Sequence, residues 1–322
     1  MAKRPSLEDR LVALREAAGD PHGAGAMAAL RDALRSKTGV LVAAAAGAAA
    51  AHGVEALIAE LPAAYQRLLE RAVERDPGCR GKAAVVRALH DLDRWDDVFA
   101  HALGYVQLEP VWGGRVDAAA EVRAIAGYAY AHAGRSDALD ALAGLLADPE
   151  RSVRAAAARA IGDTGRTDAT ALLRFKVLTG DDEPEVLTAC HGSLLALAAE
   201  ASLRFAAAEL DRGGDRAAAA ARGLGESRLV AAGPVLTGWC DRDGGDVRAG
   251  FVALAVLRRE PATAYLLDVV RRDDRLPRVR AAIEALATFR DDQAVVARVL
   301  DAAEASGDAA IRRFAREQLR VS

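Results

Sequence analysis

Along the last two-thirds of the chain, apolar residues return at i, i+3, i+4, i+7 and i+8, and the whole pattern returns about every 32 residues. Copies begin at Val122, Val153, Val186, Val247, Val279 and Ile311, with a degenerate copy at Arg216, and successive anchors stand 30 to 33 residues apart. In the copy at Val153, residues Val153, Ala156, Ala157, Ala160 and Ile161 share one helix face while Arg154, Arg159 and Asp163 point elsewhere. The others read in the same register, from Val122, Ile125, Ala126, Ala129 and Tyr130 to Ile311, Phe314, Ala315, Gln318 and Leu319. A fixed period of this size predicts stacked helical repeats, because each unit has an apolar face it cannot bury alone.

Second amphipathic segments fall between these helices, at 138–147, 169–178, 229–239, 263–270 and 294–303. Each unit is thus expected to be helix, tight turn, helix, with no room for strands. Asp148-Pro149 predicts an N-cap followed by proline at the first helical position, and Glu183-Pro184 predicts the same. The front third is less regular. Segments 41–50 and 81–92 read as worn copies, each about 40 residues from the next anchor, the extra length falling in a long helical stretch at 54–75 that Pro62 interrupts and in an insertion at 107–115. One quasi-linear domain over 1–322 is expected: capping helices in 1–36, irregular repeats in 37–121, regular repeats in 122–307 and a closing helix in 308–322.

A polar pairing recurs with the apolar one. Asp117 and Arg123, Asp148 and Arg154, and Asp274 and Arg280 each stand six residues apart. With the stretch Asp148-Pro149-Glu150-Arg151-Ser152-Val153-Arg154, this resembles the HEAT repeat family in its short bacterial, PBS-lyase-type form. The resemblance implies an all-α fold, a right-handed α-α superhelix of about nine to ten helix pairs. It also implies a ladder of such Asp and Arg side chains between neighbouring repeats, a contact that suits the rigid guanidinium fork. On the same basis the Val-Arg helices line a concave surface where Arg123, Arg154, Arg159, Arg216, Arg222, Arg248, Arg280 and Arg312 converge. Glu121, Glu185, Asp246 and Glu284 interleave with them, so a mixed face is expected rather than a basic channel. The copy at Val186 departs from the pattern with Leu187 in the arginine position, and the copy at Arg216 lacks the valine.

Candidate chemistry adds little. Cys79, Cys190 and Cys240 are far apart and the six histidines are scattered, so no zinc-type cluster and no metal is expected. Cys190-His191 invites a nucleophile reading, but the repeat register puts Cys190 where Ala157 stands, in the core. No phosphate loop, dinucleotide fingerprint, zinc-protease helix or nucleophile elbow is present, so neither a catalytic residue nor a cofactor is expected and the chain reads as no enzyme. Alanine runs such as 43–46 and 217–221 are too short to span a bilayer, and no apolar leader follows Met1, which makes the cytoplasm the expected location. A formal charge of −3 and 4% aromatics disfavour nucleic acid as the main ligand.

The segment that resists the repeat is 108–117, which carries Trp112, Gly113, Gly114 and Arg115. Two readings stand: a contact for a partner, or a plug in which Trp112 folds back over a helix end. Trp95 and Trp239 fall in helical segments and are expected in the core. The chain therefore reads as a non-enzymatic scaffold for a protein partner, which it would hold by the concave helix face and the Trp112 loop. The candidate contacts are Trp112, Gly113, Gly114, Arg115, Arg159, Arg216, Arg222 and Arg248. Two alternatives are similarity to the HEAT-like alkylpurine glycosylases, implying DNA binding or repair, and to the bilin lyase HEAT subunits.

Overall fold

The computed structural model of the chain describes residues 6–242 and 246–321. Its contacts divide into two compact units, Met1–Thr164 and Gly165–Ser322. The first contains α1 (Leu7–Gly19), α2 (Ala24–Leu34), α3 (Gly39–Ala51), α4 (Leu61–Leu69), α5 (Ala72–Arg75), α6 (Arg80–Asp91) and α7 (Val98–Leu103). A hairpin of β1 (Leu108–Val111) and β2 (Gly114–Asp117) follows, then α8 (Ala120–His132), α9 (Ala138–Leu145) and α10 (Arg151–Asp163). The second unit runs α11 (Thr170–Thr179), α12 (Pro184–Leu197), α13 (Ala199–Leu210), α14 (Gly214–Glu226) and α15 (Ala232–Cys240). It continues with α16 (Val247–Leu257), α17 (Glu260–Arg272), α18 (Leu276–Ala287), α19 (Gln293–Ala305) and α20 (Ala309–Leu319). The fold is all-α, built of packed helix pairs.

In the second unit α12, α14, α16, α18 and α20 pack one on the next in one layer, and α13, α15, α17 and α19 form the other. In the first, α3, α6, α8 and α10 make the corresponding row. A helix in such a row has neighbours on three sides, which is why its apolar stripe is broad and made of small residues. In α10 Val153, Ala155, Ala156, Ala157, Ala158, Ala160 and Ile161 are all buried. In α14 the same demand goes further. A Cβ on Gly223 would lie 2.5 Å from the Cβ of His191 in α12, and one on Gly225 would lie 2.5 Å from the carbonyl oxygen of Ala253 in α16. The copy at Arg216 is degenerate because backbone, not side chain, fills its contacts.

Several local expectations are corrected. Strands do occur, in the two-stranded hairpin, with Val111 opposite Gly114. Two residues, Trp112 and Gly113, close it, and Gly113 takes φ +90°, a conformation that glycine adopts without strain. Asp148 does not cap α10, whose N-cap is Glu150; the Asp148 carboxylate instead accepts the Glu150 N–H at 2.8 Å. The stretch 54–75 breaks into a 3-10 turn at Glu55–Glu60, then α4 with Pro62 in its first turn, then α5. Trp95 lies in the turn between α6 and α7 and is 39% exposed, whereas Trp239 is buried.

The close approach at α14 predicts opposite signs for two glycine-to-alanine changes, read as shifts in urea midpoint. Gly225→Ala must push α14 from α16 and should cost about 1–3 kcal/mol, as overpacking does. Gly47→Ala, on α3 with nothing within 4 Å of the new Cβ, should be neutral or stabilise by up to about 1 kcal/mol through helix propensity. Equal shifts for the two would contradict the backbone contact.

Candidate functional site

Burying a carboxylate is costly unless a cation and several N–H groups satisfy it. At the turns of both units that condition is met by different residues each time. Arg123, buried on α8, gives Nη1 to Asp117 Oδ2 at 2.6 Å and to the Tyr105 carbonyl at 2.8 Å. Its Nε and Nη2 take the two oxygens of Asp148 at 2.7 and 3.0 Å, a bidentate pair. One guanidinium thus joins the end of the hairpin to the following turn. Burial would raise the Asp117 carboxyl, but hydrogen bonds from the Ala119 and Gln107 N–H groups and from Arg123 hold it below its ordinary value. Arg154 donates to the carbonyls of Asp148 and Pro149 at 2.9 Å each.

The Asp274–Arg280 pair is corrected: among the described residues these two share no ion pair or hydrogen bond. Its place is taken by Asp273, whose Oδ2 lies 2.9 Å from Arg278 Nε. Arg278 also reaches Asp241 Oδ1 at 2.7 Å and the Cys240 carbonyl at 2.5 Å. Where Leu187 stands in the arginine position, Lys176 on α11 supplies the cation, 2.8 Å from the buried Asp181. At the degenerate copy the acid is the buried Glu209, held by Arg212 and Arg216. Arg216 also donates to the Val177 carbonyl at 2.8 Å, so it is committed inward and leaves the set of surface contacts, as does Arg123.

A further pair escaped the pattern of arginines. Asp76 and Lys82, 1% and 0% exposed, approach to 2.9 Å, off the hydrogen-bond direction, with the ammonium 5.6 Å from the Tyr105 ring centroid. The Asp76 carboxylate accepts the Gly81 and Lys82 N–H groups at 2.7 and 3.0 Å. Its carbonyl accepts Gln107 Nε2 at 3.0 Å, and Gln107 Nε2 also donates to Glu109 Oε1 at 2.6 Å. Glu109 Oε1 takes the Gly78 N–H at 2.7 Å. With the Gln107 N–H on Asp117 Oδ1 at 3.0 Å and the Ala118 N–H on the Gln107 carbonyl at 2.9 Å, the base of the hairpin is fixed on both sides.

The tip is the reverse. Trp112 is 102% exposed, so it plugs nothing, and Leu108, Val111 and Val116 are exposed with it. Gly113, Gly114 and Arg115 share that exposed tip, and Arg159, Arg222 and Arg248 are exposed on α10, α14 and α16. Arg248 pairs with Glu284 at 2.6 Å. Trp95 sits edge-on to Tyr130 at 4.9 Å with the Arg135 guanidinium 4.5 Å from its ring centroid, beside a cleft of about 350 Å³ that His90 and His132 also line.

The buried nucleophile candidates are quiet. Burial pushes the thiols of Cys79, Cys190 and Cys240 up to about 12, which leaves them protonated at neutral pH. Among the described residues no three His, Cys, Asp or Glu side chains group as metal ligands would, and no helix is long and apolar enough to cross a membrane.

Residues 114–198, from β2 through α12, match the family model of HEAT repeats. No curated protein matches the chain. Among solved structures, the complex of CpcE and CpcF of phycocyanin lyase from Nostoc sp. PCC7120 is similar at 17% identity and a TM-score of 0.35, over 70% of this chain and 88% of that one. An engineered protein is similar at 15% identity and a TM-score of 0.35, over 98% of this chain and 95% of that one.

One buried group gives a pH signature. Burial lowers His191 to about 4, against 6.5 for the free side chain; Glu209 opposes the shift and Arg216 adds to it. Between those values the folded chain binds fewer protons than the unfolded one, so stability is greatest above about pH 6.5 and falls as pH drops, by up to about 3 kcal/mol at pH 4. Urea unfolding of the second unit at pH 7 and pH 5 should show a loss of about 2 kcal/mol that His191→Asn removes. Equal pH slopes for the two proteins would contradict the neutral buried imidazole.

Proposed function

We propose that this chain, which carries HEAT repeats, is a non-catalytic scaffold that holds a protein partner through the Trp112 hairpin and the exposed face of the Val-Arg helices. The proposal takes residues 1–322 as one scaffold. Its carrying observation is the contrast within the hairpin: a base fixed by Gln107, Glu109, Asp117 and Arg123, and a tip whose indole touches nothing. Large side chains held out on a rigid stem bind with little further ordering, and tryptophan dominates the energetics of protein interfaces. Arg115 on the hairpin and the exposed Arg159, Arg222 and Arg248 on the helices each offer a polar contact.

A photo-crosslinking amino acid in place of Trp112 should trap one discrete protein adduct in source cells, and none should form from the same group at exposed Val230 on the second unit. Trp112→Ala, which removes no internal contact, should keep the native unfolding midpoint and weaken binding of the trapped protein by about 2 kcal/mol or more. The same adduct from both positions, or undiminished binding by Trp112→Ala, would contradict the proposal.

A further inference from the structure

The second unit carries a cleft of about 770 Å³ at the start of α16 and α18, lined by Val247, Arg248, Arg275, Leu276, Pro277, Arg278, Arg280, Ala281 and Glu284. Its floor is apolar, and three exposed guanidinium groups rim it. They differ in what holds them. Arg248 is paired with Glu284 at 2.6 Å, and Arg275 with Asp273 at 2.9 and 3.0 Å. Arg280 has no acidic partner among the described residues; its guanidinium lies 5.2 Å from the ring centroid of Phe314 on α20. An aromatic face orients a guanidinium without neutralising it. Beneath them the buried Arg278 donates to Asp241, Tyr265 and the Cys240 carbonyl and lies 2.9 Å from Asp273.

We propose that this cleft binds an acidic peptide segment that carries an apolar side chain, with Arg280 as the carboxylate-binding residue and Leu276, Pro277 and Ala281 receiving the apolar group. The proposal rests on the reading of the chain as a protein-binding scaffold and assigns that scaffold a second, chemically different contact. Charge complementarity selects the occupant: a carboxylate finds an unneutralised, planar donor fork beside an apolar floor. A nucleic acid fits less well. Among the described residues that line the cleft, no aromatic face is open to stack a base.

The test is a fluorescence-anisotropy titration of the full chain with a labelled twelve-residue peptide of repeating Glu-Glu-Leu. Two further peptides replace every Glu by Gln or every Leu by Ser, and a twelve-nucleotide single-stranded RNA serves as a competing anion. Saturable binding that weakens with salt is expected for the Glu-Glu-Leu peptide, with losses of about tenfold for each altered peptide and for Arg280→Glu. Arg204→Glu makes the same change of charge on an exposed residue of α13 and should shift the affinity by less than about twofold. Circular dichroism confirms that both variants fold. Absence of binding at low ionic strength, equal binding by Arg280→Glu, or tighter binding of the RNA would each overturn the proposal. Photo-crosslinking at position 112 reads the hairpin alone, so either contact can fail while the other stands.

Discussion

A carboxylate buried at a turn and bridged by a cation from a neighbouring helix sets the geometry on which the other features depend. Taken alone, such a pair adds little net stability, because desolvating both charges offsets most of their attraction. Its effect is on position. A guanidinium with bidentate geometry tolerates one arrangement of its acids, and Arg123 binds Asp117 and Asp148 together, so the spacing of two successive turns is fixed by the size of one side chain. Arg278 likewise spans two turns, reaching Asp273 and Asp241, while Lys82 with Asp76 and Lys176 with Asp181 each hold the acid of a single turn.

Fixed turns allow small residues between the helices. Where α14 meets α12 and α16 there is no room for a methyl group at Gly223 or Gly225, an approach that holds only if both helices are seated at their ends. The same seating supports the hairpin. Two strands in isolation are marginal in water, yet this pair springs from Gln107 and Asp117, both of which the turn network holds. The exposed indole at its tip is thereby presented at a defined place rather than on a loose loop. The stacked helices and the projecting apolar tip are consequences of one packing solution, and they are the two features the scaffold reading uses.

How much of this could be read beforehand varied with how local each signal was. The Val-anchored helices are visible because an amphipathic face repeats in one register, and the six-residue spacing of Asp117 and Arg123 survives into the structure. Asp76 and Lys82 have the same spacing but escape a search for arginine, since a buried lysine does the work. Leu276-Pro277 begins α18 early and brings the acid five residues before Arg278, which shifts the pair from Asp274 and Arg280. Lys176 precedes its acid instead of following it, a relation set by packing between helices and invisible in spacing. The hairpin had a signal: Leu-Glu-Pro-Val and Gly-Arg-Val-Asp flank a Trp-Gly turn, with a glycine where a left-handed residue is needed. Trp95 sits outside its helix because α6 ends at Asp91 and Asp93 takes φ +52°, a stop that its polar neighbours only weakly announce.

The central claim is that the buried ion pairs hold the hairpin in place, and hydrogen exchange tests it most directly. Comparison of the wild type with Arg123→Met follows the Gln107 and Ala118 amides, which bond to Asp117 and to the Gln107 carbonyl. In the wild type they should exchange slowly. In the variant they should exchange at least about tenfold faster while α18 amides in the second unit keep their protection, because the charge left on Asp117 and Asp148 loses its partner. Unchanged protection of Gln107 and Ala118 in a folded Arg123→Met protein would show that the hairpin is held by something else.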